Sequence, residues 1–226
     1  MAEVTSSNTV GYQKVSISSG MTMIGMPFTA VGGQDDVDIQ NIVPGNTQTA
    51  GGVSAIRVWD GEAYTSYYYY SAADEGIDDD ENPGWGDRRQ NKVSIGVPAG
   101  QGFWVQSDSV DTITTSGEVS ENATVSIFAG LTMVCNPKPV DIDIQQIVPS
   151  NTQTAGGVSA IRVWNGEAYT SYYYYSAADE GIDDDETPGW GDRRQNKVTV
   201  LIPSGSAFWV QSDTVETLTF VSATEN

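Results

Sequence analysis

One stretch of this chain occurs twice. AIRVWDGEAYTSYYYYSAADEGIDDDENPGWGDRRQNK, from Ala55 to Lys92, returns as AIRVWNGEAYTSYYYYSAADEGIDDDETPGWGDRRQNK from Ala160 to Lys197, with Asp60 answered by Asn165 and Asn82 by Thr187. The same hydrophobic pattern and the same turn chemistry act on both copies, so both are expected to fold alike. Laying Trp59 on Trp164 also lays Trp85 on Trp190 and Trp104 on Trp209. Upstream, Lys14 to Pro27 (KVSISSGMTMIGMP) matches Thr124 to Pro137 (TVSIFAGLTMVCNP). A chain of 226 residues is therefore expected to hold two tandem homologous domains from an internal duplication, 13–119 and 120–226, behind a flexible polar arm at 1–12. Each unit is large enough to bury a core of its own.

Short runs of β-branched and aromatic residues, bounded by Gly, Asn, Ser and Pro, read as strands throughout. Ala55 to Trp59 is one strand, Asp60-Gly61 a two-residue type I′ hairpin signal, and Glu62 to Ser71 the return strand. Asn165-Gly166 gives the same signal, and both Asp and Asn tolerate positive φ. Alternation on the return strand puts Tyr64, Ser66, Tyr68 and Tyr70 on one face and Thr65, Tyr67 and Tyr69 on the other. Lys92 to Ser107 reads as two strands joined at Pro98-Ala99-Gly100, and Asp111 to Thr115 as a last one. Asp36 to Val43 reads as a short helix or a strand, and the second copy is a few residues shorter around Gly32 and Gly33, as a surface loop allows. The expectation is all-β units of about six to eight short strands, each a β-sandwich or an open barrel.

After hairpins of the form VWDGEAYTSY come VPAGQGFWVQS (Val97–Ser107) and IPSGSAFWVQS (Ile202–Ser212). In these segments the chain resembles β-sandwich repeats of secreted bacterial surface proteins, which carry an IPAGQGFWV-like strand near their end. The shared residues are a turn and core aromatics, so the resemblance implies a fold and an extracellular address and no catalytic residue.

Thirty acidic against ten basic side chains give a formal net charge of −20. Such a field repels nucleic acid and anionic membrane surfaces and favours cations or basic partners. The absence of histidine and the single cysteine, Cys135, remove Ser-His-Asp and Cys-His catalysis, thiolate or histidine zinc sites, and intrachain disulfides. No run is apolar enough for a transmembrane helix, and the N-terminus lacks the basic and apolar regions of a signal peptide. It reads as the start of a secreted chain whose signal peptide has been removed, at the cell surface or outside the cell. A glycosidase-like carboxylate pair carries no weight among so many acids, so the chain is read as no enzyme.

The carboxylate-dense loop is the first candidate site. Asp74, Glu75, Asp78, Asp79, Asp80, Glu81 and Asp87 crowd one span. Calcium takes six to eight oxygens and accepts flexible loop geometry, and Asp78-x-Asp80-x-Asn82 has the alternating spacing of calcium loops. Pro83 stands where an EF-hand places glycine, so this is no EF-hand. The expected ligands are Asp74, Asp78, Asp80, Asn82 and Asp87, and in the second copy Asp179, Asp183, Asp185, Thr187 and Asp192. The other reading is a solvated charge run. Asp36, Asp38, Asp141 and Asp143 form a weaker second candidate.

Aromatic rings are the second. Tyr67, Tyr69 and Trp85, with Tyr172, Tyr174 and Trp190, would form a ligand or partner surface if exposed, stacking on sugar faces as a tandem carbohydrate-binding module would. The commoner fate of such rings is the core or the underside of the acidic loop. Finally, the C-terminus VSATEN stops where the connector between units would begin. A head-to-tail contact repeating the internal junction between molecules would give an open filament, with the N-terminal arm adding to a free sheet edge. The expected function is a self-assembling extracellular structural protein with calcium-stabilised loops.

Overall fold

The computed structural model describes residues 9–32, 36–47, 51–60, 62–71, 83–119, 123–151, 156–165, 167–176 and 188–221. It is all-β and built from small antiparallel sheets. The first copy contributes β1 (Val10–Ile17), β2 (Gly20–Gly25), β3 (Asp36–Asp38), β4 (Val43–Pro44), β5 (Val53–Trp59), β6 (Tyr64–Tyr70), β7 (Gly84–Gly86), β8 (Gly96–Pro98), β9 (Gly102–Ser107) and β10 (Asp111–Glu118). The second contributes β11 (Ala123–Ile127), β12 (Gly130–Cys135), β13 (Ile142–Asp143), β14 (Ile147–Pro149), β15 (Val158–Trp164), β16 (Tyr169–Tyr175), β17 (Gly189–Gly191), β18 (Leu201–Ile202), β19 (Ala207–Ser212) and β20 (Glu216–Phe220).

Each copy arranges its strands identically. A five-stranded sheet has the order β2-β9-β5-β6-β7, a three-stranded sheet β1-β10-β4, and a ribbon β3-β8; the second copy repeats all three as β12-β19-β15-β16-β17, β11-β20-β14 and β13-β18. Ile17, Ile56, Phe103 and Ile113, from four different strands, are fully buried in one core, and Ile127, Ile161, Phe208 and Leu218 are buried in the other. On β5 the alternation sends Ile56 and Val58 inward and leaves Arg57 exposed between them.

Three expectations change in detail. Asp36 to Val43 is both of its alternatives, a strand followed by a single 3-10 turn at Ile39–Asn41 that Asp38 caps through its side chain. Val10, Gly11 and Tyr12, expected in a flexible arm, belong to β1, which pairs with β10 along its whole length. The hairpin between β5 and β6 does not turn at Asp60-Gly61, because Trp59 pairs with Tyr64 and Asp60 N–H donates to Ala63 O at 3.1 Å. Asp60 Oδ1 accepts hydrogen bonds from the backbone N–H groups of Glu62 and Ala63, and Asn165 Oδ1 does the same for Glu167 and Ala168. The Asp/Asn exchange is tolerated because both residues carry that oxygen.

The two copies meet through a contact with approximate two-fold character. Gly25 N–H donates to Gly205 O at 3.0 Å, and at the equivalent place Cys135 N–H donates to Gly100 O at 2.8 Å. Bridges Ile24↔Ser206 and Gln101↔Val134 flank these bonds. Each Pro-x-Gly turn thus reaches across to the other copy's sheet, and Trp104 and Trp209 lie 6.5 Å apart beside it. Near the centre a Cβ on Gly25 would sit 1.9 Å from Cys135 Cβ. Cys135 is fully buried there, and desolvation pushes its thiol well above the usual range, so it is inert packing and no nucleophile.

The pair gives a direct test. Gly25→Ala is expected to cost about 1–3 kcal/mol through overpacking, and Cys135→Gly in the same chain to restore most of the loss. Denaturant melts of the two single variants and the double should show this coupling; independent effects would mean that the two positions do not touch.

Candidate functional site

The acidic loop is the turn of the β6–β7 hairpin, closed at its base by Tyr70↔Gly84, and in the second copy by Tyr175↔Gly189. Asp74, Asp78, Asp80 and Asn82, with Asp179, Asp183, Asp185 and Thr187, lie outside the described residues. What the structure describes is how the loop is held. Trp85, at the centre of β7, is 1% exposed, and its indole Nε1–H donates to Ile42 O at 2.7 Å. Gln40, on the 3-10 turn, accepts from Trp85 N–H at 3.1 Å and donates from Nε2 to the carbonyls of both Trp85 and Val93. One amide side chain thereby bonds two backbone groups of the short edge strand and the carbonyl of Val93 beside it. Gln145 repeats every one of these contacts on Trp190 and Val198.

Asp87 and Asp192 are described, and each closes the turn that follows its Trp-Gly. Asp87 Oδ1 accepts from the N–H groups of Arg89 and Asn91, and Asn91 Nδ2 donates to Oδ2 at 2.9 Å; Asp192 is bonded in the same way. The Asn91 side chain first, and then backbone N–H groups, hold the Asp87 carboxyl below its ordinary value. The weaker acidic candidates also serve local turns. Asp38 and Asp143 cap the two 3-10 turns, and Asp141 accepts from Ser204 N–H. Asp36 and Asp38 border a recess of about 460 Å³ with Asn41, Ser94 and Ser116. Among the described residues no three acidic or thiol groups converge on a point.

The tyrosine strand divides as alternation requires, with a decisive assignment of sides. Tyr67 and Tyr69 face the core, where Tyr69 packs edge-on against Trp85 at 5.1 Å; Tyr172, Tyr174 and Trp190 do likewise. Of the rings expected at a partner surface, Trp85 and Trp190 are therefore core rings and the four tyrosines are half-buried against the core, because β7 presents Trp85 to the same side as Ile56 and Phe103. Burial raises the pKa of Tyr69 and of Tyr174, and desolvation followed by the nearby Asp60 charge raises that of Tyr67.

The opposite face carries what the sequence reading missed. The rings of Trp59 and Tyr64 meet at a tilt with centroids 5.1 Å apart, and those of Trp164 and Tyr169 at 5.0 Å. Arg57 donates to Gln106 Oε1, and Arg88 Nε donates to Tyr68 Oη at 3.0 Å with its guanidinium 5.9 Å from that ring. Arg162, Gln211, Arg193 and Tyr173 repeat both arrangements. The signal was present in AIRVW, where Arg57 and Trp59 share a parity opposed to that of Ile56 and Val58.

No family model, curated protein or solved structure matches this chain.

Two measurements check this geometry. Gln40→Leu removes the side-chain partner of Trp85 N–H and of Val93 O and one of the two donors to Trp85 O, and is expected to cost about 1–3 kcal/mol, as is Gln145→Leu, in thermal or urea unfolding. Because the folded pKa values of Tyr69 and Tyr174 are raised, their contribution is fully present below about pH 10, the ordinary tyrosine value. It is lost as pH rises through the higher folded values. Tyrosinate absorbance in the folded protein should show a late component that shrinks in Tyr69→Phe/Tyr174→Phe.

Proposed function

We propose that this chain is a secreted, non-enzymatic structural protein of an extracellular or cell-surface assembly. In this reading it consists of two β-sandwich units from an internal duplication, each holding out an acidic loop that calcium stiffens. The observation that carries the reading is the paired anchoring of the loops. Trp85 with Gln40, and Trp190 with Gln145, fix both hairpin bases to buried cores. The two units are in turn bonded backbone to backbone. A frame that rigid is of use to a protein that positions surface features rather than one that encloses a substrate.

Self-association enters this reading in altered form. A two-fold contact uses matching patches and closes on pairing, so it does not propagate head to tail. The internal junction therefore gives no template for a filament, and contacts between molecules fall to the acidic loops and to sheet edges such as β1. Divalent ions suit that role, since carboxylates on two crests repel until a cation lies between them.

Thermal melts and light scattering in calcium, then in chelator, test the proposal. Calcium is expected to raise the melting temperature and the particle size together, and Asp78→Ala/Asp80→Ala combined with Asp183→Ala/Asp185→Ala to abolish both effects. A protein whose melting and size ignore calcium and chelator alike would overturn the metal-dependent reading.

A further inference from the structure

We propose that the outward face of each five-stranded sheet is a binding surface for a neutral polysaccharide chain, a role beyond structural support. The face can be written out by parity. β2 places Met21 and Met23, β9 Trp104 and Gln106, and β5 Ala55, Arg57 and Trp59 on this side, of which Ala55 is buried and Met23 and Trp104 pack at the junction between the copies. From β6 come Tyr64, Ser66, Tyr68 and Tyr70, and from β7 the two glycines. In a protein with thirty carboxylates, not one of these outward positions is acidic, and the same holds at the equivalent positions of the second sheet. Two guanidinium groups stand on each face instead.

The chemistry of such a face is that of sugar recognition. Trp164 is 47% exposed and Tyr169 is 43% exposed, although burying either ring would contribute on the order of 2 kcal/mol. Their tilted pair offers flat apolar surface to the C–H face of a pyranose. Beside it, Arg162 bonded to Gln211, and Arg57 bonded to Gln106, combine N–H donors with an amide, which suits the vicinal hydroxyls of a sugar. Arg162 lies opposite Trp209 in the ladder, and Arg57 opposite Trp104, so ring and guanidinium are immediate neighbours.

The arrangement also defines the occupant. Tyr64, Trp104, Trp209 and Met23 pack against one shared cluster at the junction, and Tyr169 Oη reaches Met23 Sδ at 3.8 Å. The two aromatic faces are thereby joined, which favours an extended chain touching both over a small solute touching one. The net charge of −20 opposes an anionic chain, and among the described strand positions of the face there is no carboxylate to pair with a cationic one. A neutral polymer remains.

Affinity electrophoresis of the full chain through gels holding xylan, mannan, galactan or a β-glucan tests this, with alginate and chondroitin sulfate as anionic arms. Retardation is expected in at least one neutral gel and in neither anionic gel. Trp59→Ala/Trp164→Ala should weaken it by on the order of tenfold or more, and Arg57→Ala/Arg162→Ala should weaken it too. Tyr67→Phe, on the core side, should leave it unchanged. Melting temperatures establish that each variant is folded, and Trp59→Tyr/Trp164→Tyr, which keeps a flat ring, should retain part of the binding. No retardation in any neutral gel, retardation confined to the anionic gels, or retardation indifferent to the Trp and Arg changes in folded protein would overturn the proposal. Each of those results leaves the calcium response of melting and size untouched.

Discussion

Four backbone groups decide how this molecule is put together. Two turns, Pro98-Ala99-Gly100 and Pro203-Ser204-Gly205, each surrender a glycine carbonyl to a strand N–H of the other copy. A buried backbone hydrogen bond contributes only about 1 kcal/mol net, but leaving one of its partners unpaired costs more. The contact is therefore favoured whole and opposed in part. It brings the two five-stranded sheets together at Trp104 and Trp209, which in turn places Tyr64 and Met23 over the same shared cluster. The turn-and-aromatic segments Val97–Ser107 and Ile202–Ser212 are thus the very segments that join the units.

Much of the fold was legible because strand chemistry is local. Strand positions, the equivalence of the copies and the division of β6 into two faces all followed from alternation and turn residues. Which face was buried did not follow. Both sides of YTSYYYY are aromatic, so the strand itself is ambiguous, and the decision rests on its partner β5. There, Ile56 and Val58 opposite Tyr67 and Thr65 fix the inward side. Trp85 is ambiguous in the sequence for a related reason. Flanked by glycines and close to a charged loop, it could lie at the surface or beneath the loop, and a clamp from Gln40, distant in sequence, pins it in the core.

The acidic residues show the opposite limitation. Composition alone makes every carboxylate a possible metal ligand. Asp87, Asp192, Asp38, Asp143 and Asp60 are each bonded to N–H groups within a few residues. Their role is turn formation, a use of carboxylates that spacing rules for metal loops do not separate from coordination. The part of each loop with the densest charge, beyond Tyr70 and before Pro83, is what remains for a cation.

The meeting of Gly25 with Cys135 has a consequence for how the two copies can change. From Ala55 to Lys92 the copies remain nearly identical in sequence. At the centre of the junction the two equivalent positions compete for the same few ångströms. Recombination that homogenised the copies through β2 would put two cysteines into space for one, or leave a hole with two glycines. Divergence at that point is a condition of the halves fitting together, and it makes each half a better mate for its sibling than for a replica of itself.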